Sequence, residues 1–488
     1  MKNELVSATR RLKDGDMEQH ERVVIVANRT PATKTAGGLA CGLLDALREK
    51  PSLWFGWSGE LREDDSNSVQ LSSIDSLTVA AIPLAREAHN RYYNGFANGV
   101  LWPAFHHRLD LMRFSETDYT GYLEVNRHMA EQLRPLLRPT DLLWVHDYHL
   151  LPFADMCRAQ GLQQRMGFFL HIPFPVPSVA QAIPRIDELL DAMCAYDLLG
   201  FQTEDDRSAF VNLCRERRPQ KPVPETGVYP IGVDPHTLRK EAELAPQVKL
   251  WPNESIQGIL SVDRLDYTKG LPERFKAYAK LLEDSPELRG NVQLVQIAPP
   301  SRTDVPAYVD LRHQLTSLTG EILGRYAMLD WQPLIYVEQQ YDRAALMPLY
   351  RQARVGLVTP LRDGMNLVAK EYVAAQDPAD PGVLVLSRFA GAASQLDGAL
   401  LVNPHDPGEV AEAMRVALSM PREERVARHR RMWAVLCAST IEGWRNRCLE
   451  DLRKVKQKGA RPSVPFSVSE LMRRSREAQD AEVEKAHS

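Results

Sequence analysis

The chain has 488 residues, of which 44% are hydrophobic and 25% charged, with a formal net charge of −4. This length exceeds what one hydrophobic core usually serves, so two lobes with a cleft between them are expected. The near-neutral balance excludes a general nucleic-acid binder, and no apolar run approaches the roughly 20 residues that span a bilayer, so any basic groups that matter are local, on the scale of a phosphate pocket.

Residues 1–21 are polar and charged throughout, and read as a disordered N-terminal extension without the apolar core of a leader peptide. The cysteines, Cys41, Cys157, Cys194, Cys214, Cys437 and Cys448, form no CxxC pair and read as free thiols of a reducing compartment; a cytoplasmic location is expected. Val23–Ala27 is a β-branched run of the kind buried on both faces of a sheet. Further strands are expected at Leu53–Trp57, Asp141–Val145, Arg165–His171 and Leu198–Phe201, with helical spacing between them, as over Tyr122–Leu137. This alternation predicts a doubly wound α/β lobe over residues 22–245. Between Gly227 and Glu254 the pattern weakens into a segment with four prolines, and the boundary is set there, with no strand expected after Val228–Ile231. A second α/β lobe follows over residues 246–435, with strands at Gln257–Val262, Val292–Ile297, Leu334–Val337, Val355–Thr359 and Val383–Leu386 and helices over Leu271–Leu282 and Asp363–Ala375. The helical stretch after Pro421 runs to about Lys458, its last part, 436–458, forming a C-terminal helical segment; residues 459–488 read as a mobile tail.

In doubly wound lobes ligands bind beyond the carboxyl ends of the strands. After the first strand come Asn28-Arg29 and then Gly37-Gly38, where a backbone can approach an anion, although a plain turn explains a glycine pair equally well. Arg264 and Lys269, on the loop after Gln257–Val262, are placed to converge on a pyrophosphate, the alternative being two solvated surface charges. Asp363-Gly364 makes a turn, Met365–Val368 offer first-turn N–H groups to an anion, and Glu371 lies about two helical turns on. In a sugar-nucleotide site one carboxylate would hold sugar hydroxyls and the other ribose hydroxyls; the alternative is an Asp N-cap and a solvated glutamate. His146-Asp147-Tyr148-His149 and His171-Ile172 also end strands, but no third ligand has metal-site spacing, so no metal is expected.

Eight longer stretches carry a family resemblance: FGWSGE (Phe55–Glu60), YYNGFANGVLWPAFHHRLDL (Tyr92–Leu111), VHDYHLLPF (Val145–Phe153), FFLHIPFP (Phe168–Pro175), DLLGFQTEDDR (Asp197–Arg207), YPIGV (Tyr229–Val233), DRLDYTKGLPERF (Asp263–Phe275) and RDGMNLVAKEYVAAQDP (Arg362–Pro378). In this order they resemble the trehalose-6-phosphate synthases, retaining glycosyltransferases of the GT-B fold, over about Val23–Leu452. The resemblance implies two Rossmann-like doubly wound domains facing across a cleft, and transfer of glucose from UDP-glucose to glucose-6-phosphate by front-face attack. It implies a donor site of Gly37, Gly38, Arg264, Lys269, Tyr341, Asp363, Leu367, Val368, Ala369, Lys370 and Glu371. It implies an acceptor site of Arg29, Tyr93, Asp147 and Arg302. Trp102 and Ile172 match positions tied to α-anomer selection, and His171 a residue near the donor glucose, so that Asp147, His171, Arg264, Lys269 and Asp363 form the expected catalytic set. No cofactor or metal, nucleic acid or membrane is implied; a homodimer or homotetramer is left open. Three departures stand out: a short Arg29–Gly37 loop, an abbreviated Arg215–Thr226 stretch, and Tyr341 where a phenylalanine often lies beside the base. The rival readings are a glucosylglycerol-phosphate synthase, which takes glycerol 3-phosphate, and a catalytically silent sugar-phosphate sensor; a phosphorylase would need a pyridoxal-binding lysine motif that is not seen.

Overall fold

Strand β1 (Val23–Arg29) carries Val24-Ile25-Val26, each fully buried, and pairs in parallel with β2 (Ser52–Arg62) on one side and β5 (Leu142–His146) on the other. Branched side chains fill both of its faces, which puts it at the sheet centre. The sheet continues from β2 to β4 (Leu77–Ala85) and an antiparallel edge strand β3 (Gln70–Ile74). From β5 it continues to β6 (Arg165–Phe169), β7 (Leu198–Phe201) and β8 (Glu225–Val228), giving the order β3-β4-β2-β1-β5-β6-β7-β8. The order reverses between β1 and β5. This computed structural model describes residues 21–31, 52–63, 68–246, 251, 255–302 and 305–457; Gly37, Gly38, Cys41, residues 1–20 and the expected tail lie outside them.

The second sheet is parallel throughout, with β9 (Gln257–Val262), β10 (Val292–Ile297), β11 (Leu334–Val337), β12 (Val355–Val358), β13 (Val383–Ser387) and β14 (Leu400–Val402) in the order β11-β10-β9-β12-β13-β14. Its reversal lies between β9 and β12. Most strands fall within a residue or two of the sequence expectation, but β3, β4 and β14 were not anticipated. β3 has a mostly exposed QLSSI pattern and β14 only three residues, so neither carries a core-strand signal. The strand expected at Val228–Ile231 lies earlier, because beyond Val228 the chain leaves the sheet: Pro230 follows, and the Ile231 N–H is taken by the Gln202 side chain at 3.0 Å.

Two further corrections concern the boundary. Residues 235–244, grouped with the first lobe by sequence, form the helix Pro235–Leu244, capped by Asp234 Oδ1 accepting from His236 and Thr237 N–H. Its buried Leu238 and Ala242 join the core of the second lobe, with Tyr350 and Val373. The continuous C-terminal helix is instead two, Arg422–Ala438 and Ile441–Lys454, broken where Thr440 Oγ1 caps the Gly443 N–H. The second of these returns to the first sheet: Trp444 packs on Trp144 and Phe169 at ring distances of 4.8 and 5.1 Å, and Leu452 fills the space left by the missing side chain of Gly167. The chain therefore crosses between the lobes twice, and the crossings are bonded to each other by Ile441 N–H to the Val233 carbonyl at 3.2 Å.

Candidate active site

Both sheet reversals open onto the same cleft. At the first, β1 ends in Asn28-Arg29 and β5 leads into Asp147, which has the unusual φ of 75°. Arg29 is exposed, its guanidinium 5.4 Å from the Trp57 ring centroid. Tyr93 lies in the π-helical stretch Asn90–Leu101, stacked on His149 and His89. Such wide-turn helix is uncommon and concentrates at functional sites. Asp147 Oδ1 accepts from the His171 backbone N–H at 3.3 Å, and burial, partly opposed by those backbone bonds and by Arg302 and Arg264, pushes its carboxyl up to about 6.

At the second reversal, β9 leads into Arg264 and Lys269 and β12 into Asp363. The Lys269 ammonium donates to Asp363 Oδ2, which also accepts from Asn366 Nδ2 at 3.0 Å. Burial would raise the Asp363 carboxyl, but the Lys269 charge beside it holds it below the ordinary range; Lys269 is raised in turn, against its own burial, chiefly by Asp363 and Asp263. The helix expected from Asp363 starts at Leu367, and its cap is Asn366, with φ of 75°, whose Oδ1 accepts from Ala369 N–H. One first-turn N–H is thereby satisfied, while those of Leu367 and Val368 have no intrahelical acceptor. Asp363 is thus free of the capping role and serves the cleft. Glu371 is pushed up by burial to about 7, Arg343 opposing. Tyr341 is half-buried, its hydroxyl 3.5 Å from the Gln339 side-chain oxygen.

Contacts across the cleft join the two sets. Arg302, only 6% exposed, donates to Asp266 Oδ2 at 3.2 Å, to Tyr308 and to the Tyr148 hydroxyl at 3.2 Å, and its guanidinium lies 3.9 Å from the Trp102 ring centroid. The Arg264 guanidinium is 6.0 Å from the same indole. A side chain at Gly364 would overlap the His171 carbonyl oxygen, so the Asp363 turn rests directly on the strand end that carries His171 and buried Ile172. The His171 ring bonds His146 Nδ1 through its Nε2 at 3.0 Å, and burial lowers both imidazoles, His146 to about 3, so both are neutral.

The structure therefore gathers Asp147, Tyr93, His171, Ile172, Trp102, Arg264, Lys269, Arg302 and Asp363 around one cleft. The Lys370 ammonium is fully buried, donating to the Ile231 carbonyl at 2.5 Å and Gln395 Oε1 at 2.7 Å, so that only the backbone of this residue bears on the question of donor binding. Sequence reasoning overlooked Asp266, Tyr148 and Asn366, although each lies inside a quoted stretch within two residues of a chosen one. Among the described residues no group of three or more His, Cys, Asp or Glu side chains is placed to hold a metal ion, and no helix is long and apolar enough to cross a membrane.

The sequence profile described as Glycosyltransferase family 20 matches residues 5–454. The chain belongs to this family. A trehalose-6-phosphate synthase of Sodalis glossinidius is 50% identical over 455 residues, 90% of this chain and 97% of that protein. Among solved structures, a UDP-forming α,α-trehalose-phosphate synthase of Burkholderia xenovorans in complex with glucose-6-phosphate is 47% identical with a TM-score of 0.85, covering 88% of this chain and 100% of its own. A trehalose-6-phosphate protein of E. coli bound with UDP-2-fluoro glucose is 48% identical with a TM-score of 0.86, covering 90% and 100%. At this similarity the two lobes are those of a GT-B glycosyltransferase, and the family 20 chain is a hexosyltransferase.

Proposed function

We propose that this chain transfers glucose from UDP-glucose to the anomeric hydroxyl of glucose-6-phosphate, giving α,α-trehalose 6-phosphate and UDP. The observation that carries the reading is the meeting of two anion-binding sets at the paired sheet reversals: Arg264 and Lys269 with Asp363 on one side, Arg302 with Asp147 and Tyr93 on the other. The relatives found with glucose-6-phosphate and with a UDP-glucose analogue support the pairing of these two substrates. Arg264, Lys269 and the Leu367 and Val368 N–H groups bind the donor pyrophosphate, Glu371 the ribose, Tyr341 the base, and Asp363 the donor sugar hydroxyls. Arg29, Tyr93 and Arg302 bind the acceptor phosphate, and Asp147 the acceptor sugar.

The anomeric oxygen of glucose-6-phosphate bonds to C1 of the donor as the bond from C1 to the β-phosphate oxygen breaks on the same face, and the hydroxyl proton passes to a β-phosphate oxygen. Negative charge grows on the departing UDP, where Arg264 and Lys269 stabilise it in a partly buried site. A double displacement would need a carboxylate on the opposite face of the sugar. Asp363 is bonded to Lys269 and Asn366, and Asp147 accepts from the His171 N–H, so neither is an uncommitted nucleophile. The test is product analysis with UDP-glucose against both glucose-6-phosphate and glycerol 3-phosphate, with mass spectrometry of enzyme quenched during turnover of a slow fluorinated donor. An α,α-linked disaccharide phosphate and no glucosylated peptide are expected. Preference for glycerol 3-phosphate, absence of turnover, or a competent adduct on Asp147, Asp363 or Glu371 each overturns its part of the reading.

A further inference from the structure

Arg274 lies one turn into the helix Leu271–Asp284 and is 1% exposed. Its guanidinium donates from Nε to Thr359 Oγ1 at 3.0 Å, from Nη1 to Gln296 Oε1 at 2.8 Å, and from Nη2 to Asp263 Oδ2 at 3.0 Å and the Lys269 carbonyl at 3.1 Å. Gln296 lies at the end of β10, Asp263 directly after β9 and Thr359 directly after β12. These are three neighbouring strands that straddle the reversal of the second sheet. The fourth acceptor belongs to Lys269 itself. The same two loops are locked together at two further points. Gly270, with φ of 65°, lies where a side chain would overlap the Thr359 carbonyl, and the Leu361 N–H donates to the Thr268 carbonyl at 2.8 Å.

We propose that Arg274 is the positioning residue of the donor site: by bonding the ends of β9, β10 and β12 and the Lys269 backbone to one rigid fork, it sets the separation of the Lys269 ammonium from the Asp363 carboxylate. Arg274 is buried beneath the loops and acts through the residues it holds. The inference rests on the reading of Lys269 and Asp363 as donor ligands. A planar guanidinium with five N–H donors at fixed angles satisfies four acceptors in one plane-bound pattern, whereas an ammonium at the same place has three donors and no fixed plane. A buried ion pair with a purely structural role would lower stability without distinguishing the two substrates; a positioning role weakens the donor and spares the acceptor, whose ligands lie mainly on the other sheet.

The test uses the full chain with Arg274→Lys and Thr359→Val, and Lys269→Ala as reference, measuring UDP affinity by calorimetry, KM for each substrate and melting temperature. Arg274→Lys is expected to lose UDP affinity by about tenfold or more and Thr359→Val by about threefold, with KM for glucose-6-phosphate moving less than about twofold. UDP affinity within about twofold of the parent, or equal losses for both substrates, overturns the inference; where Arg274→Lys does not fold, Thr359→Val decides on the same criterion. Lys269→Ala separates the two levels. Loss of UDP in Lys269→Ala with none in Arg274→Lys overturns this inference alone, whereas intact UDP binding in Lys269→Ala overturns the donor-site reading and this inference with it.

Discussion

Asp147→Asn should make the protein more stable at alkaline pH while disabling it. The Asp147 carboxyl rises from an ordinary 3.8 to about 6 because burial disfavours its charge more than the Tyr148 and His171 backbone bonds and the Arg302 and Arg264 charges favour it. Between these two values the folded chain holds a proton that the unfolded chain has lost. The stability linked to this group is therefore present below pH 3.8 and is lost as pH rises through 6. A shift of about two units costs the parent on the order of 2 kcal/mol at pH 5 and about 3 kcal/mol at pH 8, since each unit is about 1.4 kcal/mol. Asparagine does not titrate, its side-chain oxygen can accept the His171 N–H, and it tolerates the positive φ better than most residues. Unfolding of parent and variant at pH 5 and pH 8 should show the variant's advantage growing by roughly 1 kcal/mol between them, while KM for glucose-6-phosphate rises and kcat falls by orders of magnitude. An advantage that is equal at both pH values refutes the electrostatic argument. Normal acceptor dependence refutes the assignment of Asp147 to the acceptor.

Lys269→Ala should weaken UDP and UDP-glucose together by about tenfold to a hundredfold, the range for a lost charge-assisted contact, and calorimetry with UDP alone checks it. Arg302→Ala should raise KM for glucose-6-phosphate and leave UDP affinity nearly unchanged; a collapse of UDP binding would reverse the division of the cleft. Gly364→Ala should abolish turnover with the chain still folded, because its new methyl meets the His171 carbonyl and holds the Asp363 turn off the opposite lobe; full activity would mean that this contact is not part of the working geometry. Lys370→Met should flatten the pH dependence of stability above neutrality. Burial lowers the Lys370 ammonium from 10.5 to about 7, so the parent loses stability as pH falls through that interval and the variant does not; parallel melting-temperature profiles from pH 7 to 10 would refute it.

Leu198–Phe201, Gln257–Val262, Val292–Ile297 and Leu334–Val337 stand where the sequence put them, because strands of parallel sheets are written as continuous apolar runs. The edge strands β3 and β14 were not legible, since they bury little and carry little pattern. The return of Ile441–Lys454 to the first lobe was also hidden. It depends on Leu452 meeting Gly167 almost three hundred residues away in the chain, and helical spacing reports an apolar stripe without naming what it packs on. In the cleft, the charged residues flanking strand ends were readable one by one, and the family resemblance grouped them. What spacing could not tell was which charges are spent internally. Lys370 and Arg274 look in sequence like Lys269 and Arg264, cations on or beside a strand-end loop, yet both are buried and bonded within the protein.

That distinction bears on how a chain of net charge −4 brings two anionic substrates into contact. A pyrophosphate and a phosphomonoester close enough to react repel each other, and the repulsion is strongest in a site shielded from water. Two cations stand where, on the proposed assignment, that repulsion would be greatest: Arg302 and Arg264 lie 3.9 and 6.0 Å from the one Trp102 ring, Arg302 assigned to the acceptor phosphate and Arg264 to the pyrophosphate. Trp102 meets both guanidiniums with its ring face. Asp266 bonds Arg302 from the other side and keeps it from turning away. On that assignment each cation screens one substrate from the other.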